Sequence, residues 1–301
     1  MVAVAAVLTA GLLFFHRAVP DTAGRPGSLL ESFLPWLGLP VLVLLGVALL
    51  RRSAAALVAV LLPVAAWTDR FGGLLLPEPG AVPGELVVVQ HNVSDENTDP
   101  AGTARALADA APDLIALEEL VPPALEVYRR TLAADYPYHA VRGTVGLWSR
   151  HPLAEVRSLD IRPEGITEPW NRGLRALVHT PRGDLAAYVA HLPSIRLGPS
   201  GLASSRRDDS ARRLGAAITA EPQKRVLLLG DLNGTVDDRG LSPLTAVLDP
   251  PERGFALSFP AAFPVARIDQ VLARAATVTH IGTLPPTPSD HLPVVARIGP
   301  G

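Results

Sequence analysis

The 301 residues include no cysteine, which rules out a disulfide, a thiolate metal site and a cysteine nucleophile. Lysine is almost absent. Lys224 is the single example, and with so much Ala and Pro the Arg-for-Lys usage reads as GC-rich coding bias, not function. A surplus of positive charge is missing too. Lys+Arg total 27 against 29 Asp+Glu, and five of the former and four of the latter precede residue 85. The remainder therefore stands near −3. Tight nonspecific binding to nucleic acid relies on a basic surplus that displaces counterions from phosphates, so a nucleic-acid partner is not expected.

Apolar sequence is abundant instead. Mean hydropathy is +0.26, and the surplus is concentrated in residues 1–76. Residues 1–15, 33–50 and 53–67 contain no charge. At 1.5 Å per residue, a helix needs roughly 20 residues to cross about 30 Å of hydrocarbon. The second stretch nearly suffices, and the others reach that length only with flanks such as Ala18-Val19 and 71–76. No basic region precedes the first, as a signal peptide would require. The expected organisation is an anchor of about three transmembrane helices (1–76), a Pro/Gly linker (77–84, PEPGAVPG) and a catalytic domain (85–301) long enough to bury one core. Arg51-Arg52 between the second and third stretches favours a cytoplasmic turn there, placing the domain outside. Arg17, Arg25 and Arg70 would then also lie outside, so the charge count is close to even.

Within the domain, 86–90, 114–117, 145–148, 175–180, 185–190, 226–229, 268–272, 277–281 and 293–298 read as strands. Residues 103–111, 122–134 and 204–220 have helical spacing, the last with Arg206, Arg207, Arg212 and Arg213 assigned to its solvated face. Strands outnumber helices, which predicts mixed α/β with a largely antiparallel sheet.

Short polar motifs follow these apolar runs: Gln90-His91-Asn92, Glu118-Glu119, His191, Gly230-Asp231-Leu232-Asn233, and Ser289-Asp290-His291. Phosphate-ester hydrolysis needs charge on the phosphoryl oxygens neutralised, a nucleophile made from water, and the leaving oxygen supported. Mg²⁺ prefers oxygen ligands, and Glu119 and Asp290 suit that role. Asp231 could orient and deprotonate water while Asn233 binds phosphate. His191 and His291 could support developing charge, and Asp269 could fix a histidine's tautomer. Taken singly, Asn92 reads as a turn residue, Asp231 as an N-cap, Asp290 as a turn acid and His191 as a core histidine; jointly the site reading prevails.

At these residues the chain resembles the endonuclease/exonuclease/phosphatase superfamily, which includes DNase I-like nucleases, sphingomyelinases and inositol-phosphate phosphatases. The resemblance rests on Asn92, on 112–119 (PDLIALEE) as the P-D-x-I-x-L-Q-E-type motif, on the G-D-x-N motif at 230–233, on Arg267-Ile268-Asp269, on the terminal S-D-H, and on 149–153 (SRHPL). It covers about 86–298. It implies a four-layer α/β/β/α sandwich with Mg²⁺, or alternatively Mn²⁺, as cofactor. Glu119, Asn92 and Asp290 would stand at the metal, with Asp231 activating water and Asp269 paired to His291. Asn92, Asn233, His191 and His291 would meet substrate phosphate. There are departures. Glu118 replaces the usual Gln and is read as facing away from the site, His91 replaces an aromatic and is read as a strand-end residue, and Gln270-Val271 stand where an aromatic often follows. Trp170-Asn171-Arg172 reads equally as groove lining and as loop anchor.

The expected function is a membrane-anchored, Mg²⁺-dependent phosphoesterase. The N-terminal stretches also resemble bacterial members tied to teicoplanin-type antibiotic resistance. That resemblance implies an extracytoplasmic domain acting on a cell-wall carrier lipid such as undecaprenyl pyrophosphate, with the lipid bilayer as partner. The alternatives are a surface-tethered nuclease and a noncatalytic binding module on the same fold.

Overall fold

Uncharged Ala, Leu and Val runs make the N-terminal helices: α1 (Val2–Phe15), α2 (Pro26–Ser32), α3 (Gly38–Leu50) and α4 (Ala54–Phe71). They belong to a computed structural model that describes residues 1–80, 82–199 and 201–300; Ala81 of the expected linker, Ser200 and Gly301 lie outside the described residues. Ser53 caps α4, its Oγ accepting from Ala56 N at 3.3 Å. Small buried residues (Ala6, Ala48, Ala56) let the helices approach closely, while Leu42, Val43, Val58 and Leu61 on the outer faces remain exposed. Among the described residues, one helix, Ala54–Leu75, is long and apolar enough to cross a membrane. Pro26–Ser32 and Leu34–Leu50 would qualify together but bend by 75°, and Val2–Ala18 is shorter. The expected anchor of about three transmembrane helices is thus matched by one such helix, or by two if the bent pair forms a single span.

These helices pack directly on the rest of the chain. Buried Glu31 accepts from Arg239 Nε at 2.8 Å and lies 2.9 Å from His16 Nδ1. Arg70 pairs with Asp237, and Trp36 Nε1 donates to Val265 O at 2.7 Å.

The domain opens with β1 (Leu86–Asn92), α5 (Pro100–Asp109), β2 (Leu114–Glu118), α6 (Ala124–Leu132), β3 (Tyr138–Arg142), β4 (Val145–Ser149) and β5 (Leu153–Ser158). It continues through β6 (Gly173–Thr180), β7 (Gly183–Ala190), the short hairpin β8 (Arg196–Gly198) and β9 (Gly201–Ala203), α7 (Ser205–Thr219), β10 (Val226–Asp231) and α8 (Ser242–Thr245). The last elements are β11 (Asp269–Arg274), β12 (Ala276–Thr283) and β13 (Val294–Pro300). One sheet has the order β12-β13-β1-β2-β4-β3 and the other β11-β10-β7-β6-β5. Only β1/β2 and β7/β10 are parallel; every other pair in these two sheets is antiparallel.

Period-two alternation divides each sheet between two cores. Val88, Leu114, Ala116 and Leu147 meet Leu174, Ala187, Leu229 and Val271 between the sheets. Val89, Ile115 and Leu117 pack outward on Leu107 of α5 and Tyr128 of α6. Ala186, Tyr188 and Leu228 pack on Ala211, Leu214 and Ile218 of α7. The layers run α/β/β/α, as the sequence motifs implied.

A buried acid locks α7's trailing end to the second sheet. Glu221 accepts from Arg175 Nη2 at 3.0 Å, Tyr188 Oη at 2.6 Å and Gln223 N at 3.0 Å. Burial pushes its pKa up, but these donors outweigh it and hold it at about 2, against an ordinary 4.5. The folded value lies below the unfolded one, so the stabilisation is complete above about pH 4.5 and vanishes as pH falls through about 2. It is on the order of 3 kcal/mol. Urea melts of wild type and Glu221→Gln should differ by a constant amount above pH 5, converging toward pH 2. A pH-independent difference would refute this assignment.

Candidate active site

Strand ends deliver the polar motifs to one edge of the sandwich. Asn92 ends β1, Glu119 follows β2, His191 follows β7 and Asp231 ends β10. The two parallel pairs make these ends coincide. Asp269 opens β11 directly opposite Asp231 in register, and His291 comes from the loop before β13. Gly230 allows the tight approach of β7, since a Cβ there would lie 1.9 Å from Ala190 O. Glu119 (φ 60°) and Asn233 (φ 47°) both adopt left-handed backbone, a cost that tends to concentrate at functional positions.

The side chains interlock. Asn92 Nδ2 donates to Glu119 Oε1 and to Asp231 Oδ2, each at 3.1 Å. His191 Nε2 lies 3.6 Å from Asp231 Oδ2 and 3.9 Å from Glu119 Oε1. His291 Nε2 is 3.8 Å from Asp231 Oδ2, and its Nδ1 is 2.8 Å from Asp269 Oδ2. Asp269 also accepts from Ser258 Oγ at 2.6 Å and Gln90 Nε2 at 3.1 Å. Asn233 N donates to Asp231 Oδ1 at 2.9 Å, and its Nδ2 reaches Leu192 O at 2.9 Å. Seven of the eight predicted site residues thus form one contact network.

Electrostatics divides their labour. Burial opposes charge on His291, but Asp269, in contact with it, prevails and raises it to about 10. Burial likewise disfavours the Asp269 charge, and the His291 cation outweighs it, holding Asp269 low. Burial, then Asp269, pushes Asp231 up to about 7. Burial brings His191 down to about 3, with Arg172 adding to the effect. Arg172 Nη1 sits 3.5 Å from His191 Nδ1. A guanidinium can only donate, so His191 Nδ1 accepts and its proton resides on Nε2, facing the carboxylates.

The donor set suits a hard divalent cation. Asp231, Asp269 and His291 can bring one ligand atom each within 4.8 Å of one another. In this trio, however, Asp269 is engaged by His291, Ser258 and Gln90. The more open carboxylate is Glu119, partly solvent-accessible and joined to Asp231 through the single Asn92 amide. Oxygen-rich, partly solvated sites of this kind fit Mg²⁺ or Mn²⁺.

Three sequence expectations change. Asp290 is exposed, and its side chain makes no hydrogen bond or ion pair among the described residues; only its backbone joins the fold, its carbonyl accepting from Ala261 N. Glu118 does not turn away from the site. It shares the inner face with Leu114 and Ala116, is fully buried, and accepts from Gln90 Nε2 at 2.8 Å, the amide that also reaches Asp269. Burial, then Asp269 and Asp231, pushes its pKa well above the usual carboxylate range, which favours the protonated form at the position where the family usually has Gln. Arg207 is not on a solvated face. It is 1 % exposed and donates to Asn233 O at 3.0 Å and Asp238 Oδ2 at 2.5 Å. Its signal was available, because 207, 211, 214 and 218 recur at helical spacing on the apolar side of α7. His91 is a buried strand-end residue as read, its Nε2 2.8 Å from Thr287 Oγ1.

The family model for the Endonuclease/Exonuclease/phosphatase family matches residues 89–291. The chain belongs to this family. Its members are hydrolases of phosphoester bonds, typically dependent on a divalent metal, and this chain presents a matching acidic site. No curated protein matches it. Among solved structures, a humanized TDP2 from D. rerio carrying 14 mutations is similar at 20 % identity and TM-score 0.60, covering 71 % of this chain and 99 % of its own. Sphingomyelinase C from Streptomyces griseocarneus is similar at 17 % identity and TM-score 0.54, covering 71 % and 99 %. A family protein from Beutenbergia cavernae shares 21 % identity at TM-score 0.57, covering 72 % of each chain. At such identities the likeness shows the DNase I-like fold alone.

Proposed function

We propose that this chain is a membrane-anchored, Mg²⁺-dependent phosphoesterase that hydrolyses a lipid-linked phosphate or diphosphate, such as undecaprenyl pyrophosphate, at the outer face of a cell membrane. The observation that carries this reading is segment 255–259, which joins the apolar helices to the catalytic cluster. Phe255 and Leu257 line a cavity of about 510 Å³ together with Trp36, Leu39, Leu42 and Trp67 of the N-terminal helices. The next residues reach the site: Ser258 donates to Asp269, and the Phe259 ring lies 4.9 Å from that of His291. A hydrocarbon chain held between the helices would bring its headgroup toward Ser258 and Phe259, beside His291. The exposed apolar helix faces support a multi-pass anchor, with Arg51-Arg52 on the cytoplasmic side.

In this reading Glu119 and Asn92 would hold the metal. When bound, the ion would neutralise phosphoryl charge. Asp231, lifted to about 7, takes a proton from the attacking water. Asn92, Asn233 and His191 meet the phosphoryl oxygens. His291 meets them as a cation positioned by Asp269.

Purified protein in detergent should release phosphate from undecaprenyl pyrophosphate only with Mg²⁺ or Mn²⁺ present, and Asp231→Ala should abolish the release. Cleavage of DNA without action on the lipid would replace this reading with the tethered nuclease. Inertness toward both would leave the noncatalytic module.

A further inference from the structure

A second cavity of about 420 Å³ lies beside the catalytic cluster, lined by Arg172, Arg196 and Arg206 together with Trp170 and Ser194. The chemistry above uses none of its cations except through the contact of Arg172 with His191. Several other arginines packed against this fold have acids, as Arg175 has Glu221, Arg207 has Asp238 and Arg239 has Glu31, while Arg267 and Arg274 donate to carbonyl oxygens instead. Among the described residues, none of the three guanidinium groups lining the cavity has a carboxylate within ion-pair distance. Arg196 and Arg206 are exposed and Arg172 is half-buried with Glu119 and Asp231 nearby, so an anion entering the cavity would meet three guanidinium groups free to donate.

The cavity is built, and it is continuous with the site. The Arg172 guanidinium lies 4.2 Å over the Trp170 ring, a cation–π contact that fixes its plane and leaves its edge free to donate. Trp170 Nε1, buried nearby, has no hydrogen-bond partner. Pro193 and Ser194 reach the cavity directly after His191 and Leu192, whose carbonyl holds Asn233. The far wall is the β8–β9 hairpin and the first turn of α7. That wall is braced by the segment between α1 and α2: a Cβ on Gly201 would lie 2.1 Å from Gly24 Cα, and Arg25 Nη1 donates to Ser204 Oγ at 2.7 Å. The cavity therefore lies between the residues that follow His191 and a wall braced by the segment joining α1 to α2.

We infer that this cavity binds the second phosphoryl group of a diphosphate, the one that departs, and makes the enzyme selective for diphosphates over monoesters. The inference rests on the phosphoesterase reading above. Water oxygen bonds to the terminal phosphorus as the bridging P–O bond breaks. The electron pair leaves on the bridging oxygen of the organic monophosphate, and the water proton goes to Asp231. Arg172, Arg196 and Arg206 neutralise the charge growing on that oxygen.

The test uses the full chain in detergent with Mg²⁺, comparing kcat/KM for a polyprenyl diphosphate and the matching monophosphate. Wild type should prefer the diphosphate at least tenfold. Arg196→Gln/Arg206→Gln should cut that preference about tenfold, mainly through KM, and Arg196→Lys/Arg206→Lys should restore part of it. No preference in wild type, or an equal loss on both substrates, would overturn the inference. A second arm needs no turnover. With EDTA present, calorimetry should find inorganic pyrophosphate bound at least tenfold more tightly than inorganic phosphate, and the Gln variant should lose that margin. If lipid turnover is absent while this margin holds, the lipid reading falls and a soluble diphosphate is the substrate class. A single-stranded oligonucleotide binding more tightly than pyrophosphate would make the cavity a nucleic-acid subsite and sink the inference.

Discussion

Asp231→Asn is expected to lower turnover by about 10²–10⁴-fold while leaving the metal-free protein as stable as wild type, or more so. Both halves follow from where Asp231 sits. It is 1 % exposed, directly opposite Asp269 in the β10/β11 register, and within 4 Å of both site histidines. Burial and the neighbouring acid raise it to about 7, where a carboxylate can accept a proton from water at neutral pH. An amide keeps the shape and the donation from Asn233 N, but it cannot take that proton. It also removes a charge that is costly to bury beside another acid. Activity and thermal melting measured on the same preparation settle the matter. A variant that loses activity only in proportion to lost folded protein would exclude the general-base role.

Arg207→Ala should cost about 3–5 kcal/mol, the range for breaking a buried ion pair from one side. The Arg207 and Asp238 side chains are both fully buried, so removing the guanidinium strands the Asp238 carboxylate without its partner. The same arginine holds Asn233 O, and its Nη1 fills the place where a Cβ on Gly234 would go, 1.9 Å away. The G-D-x-N turn is thus propped from behind by a helix residue. Urea melts should show the loss. Arg207→Met/Asp238→Leu should regain much of the stability, because no stranded charge remains, yet it should not regain turnover, because Asn233 stays unsupported. Recovery of both would mean that Arg207 serves packing alone.

The candidate site was unusually legible because strand ends advertise themselves. An apolar run followed at once by Asn92, Glu119, His191 or Asp231 places a polar group where burial stops, and parallel pairing of β1 with β2 and β7 with β10 then gathers those groups. The weaker strands were missed for the opposite reason. β3 and β5 carry mixed burial, with Tyr138, His139, Glu155, Arg157 and Ser158 exposed, so they lack a clean apolar run. Glu118 and Arg207 depart from the expectation because each is a charged residue type on an inward-facing position. Their periodicity pointed inward: Glu118 shares the parity of Leu114 and Ala116, and Arg207 the helical face of Ala211 and Leu214.

Sequence alone determined the family, the order of strands and helices in the core, and the types of side chain offered to a phosphoryl group, because these depend on local pattern and on motifs that each follow one element. Tertiary structure decided which of those side chains meet. Pairing between strands far apart in the chain put Asp231 against Asp269 and left Asp290 in solvent. It set Arg172 beside His191 and gathered Arg172, Arg196 and Arg206 around one cavity. It also docked the apolar helices on the catalytic domain through Glu31 and Arg239. Charge, burial and proton affinity at each of these groups are set by neighbours contributed from distant segments, and no local pattern carries that information.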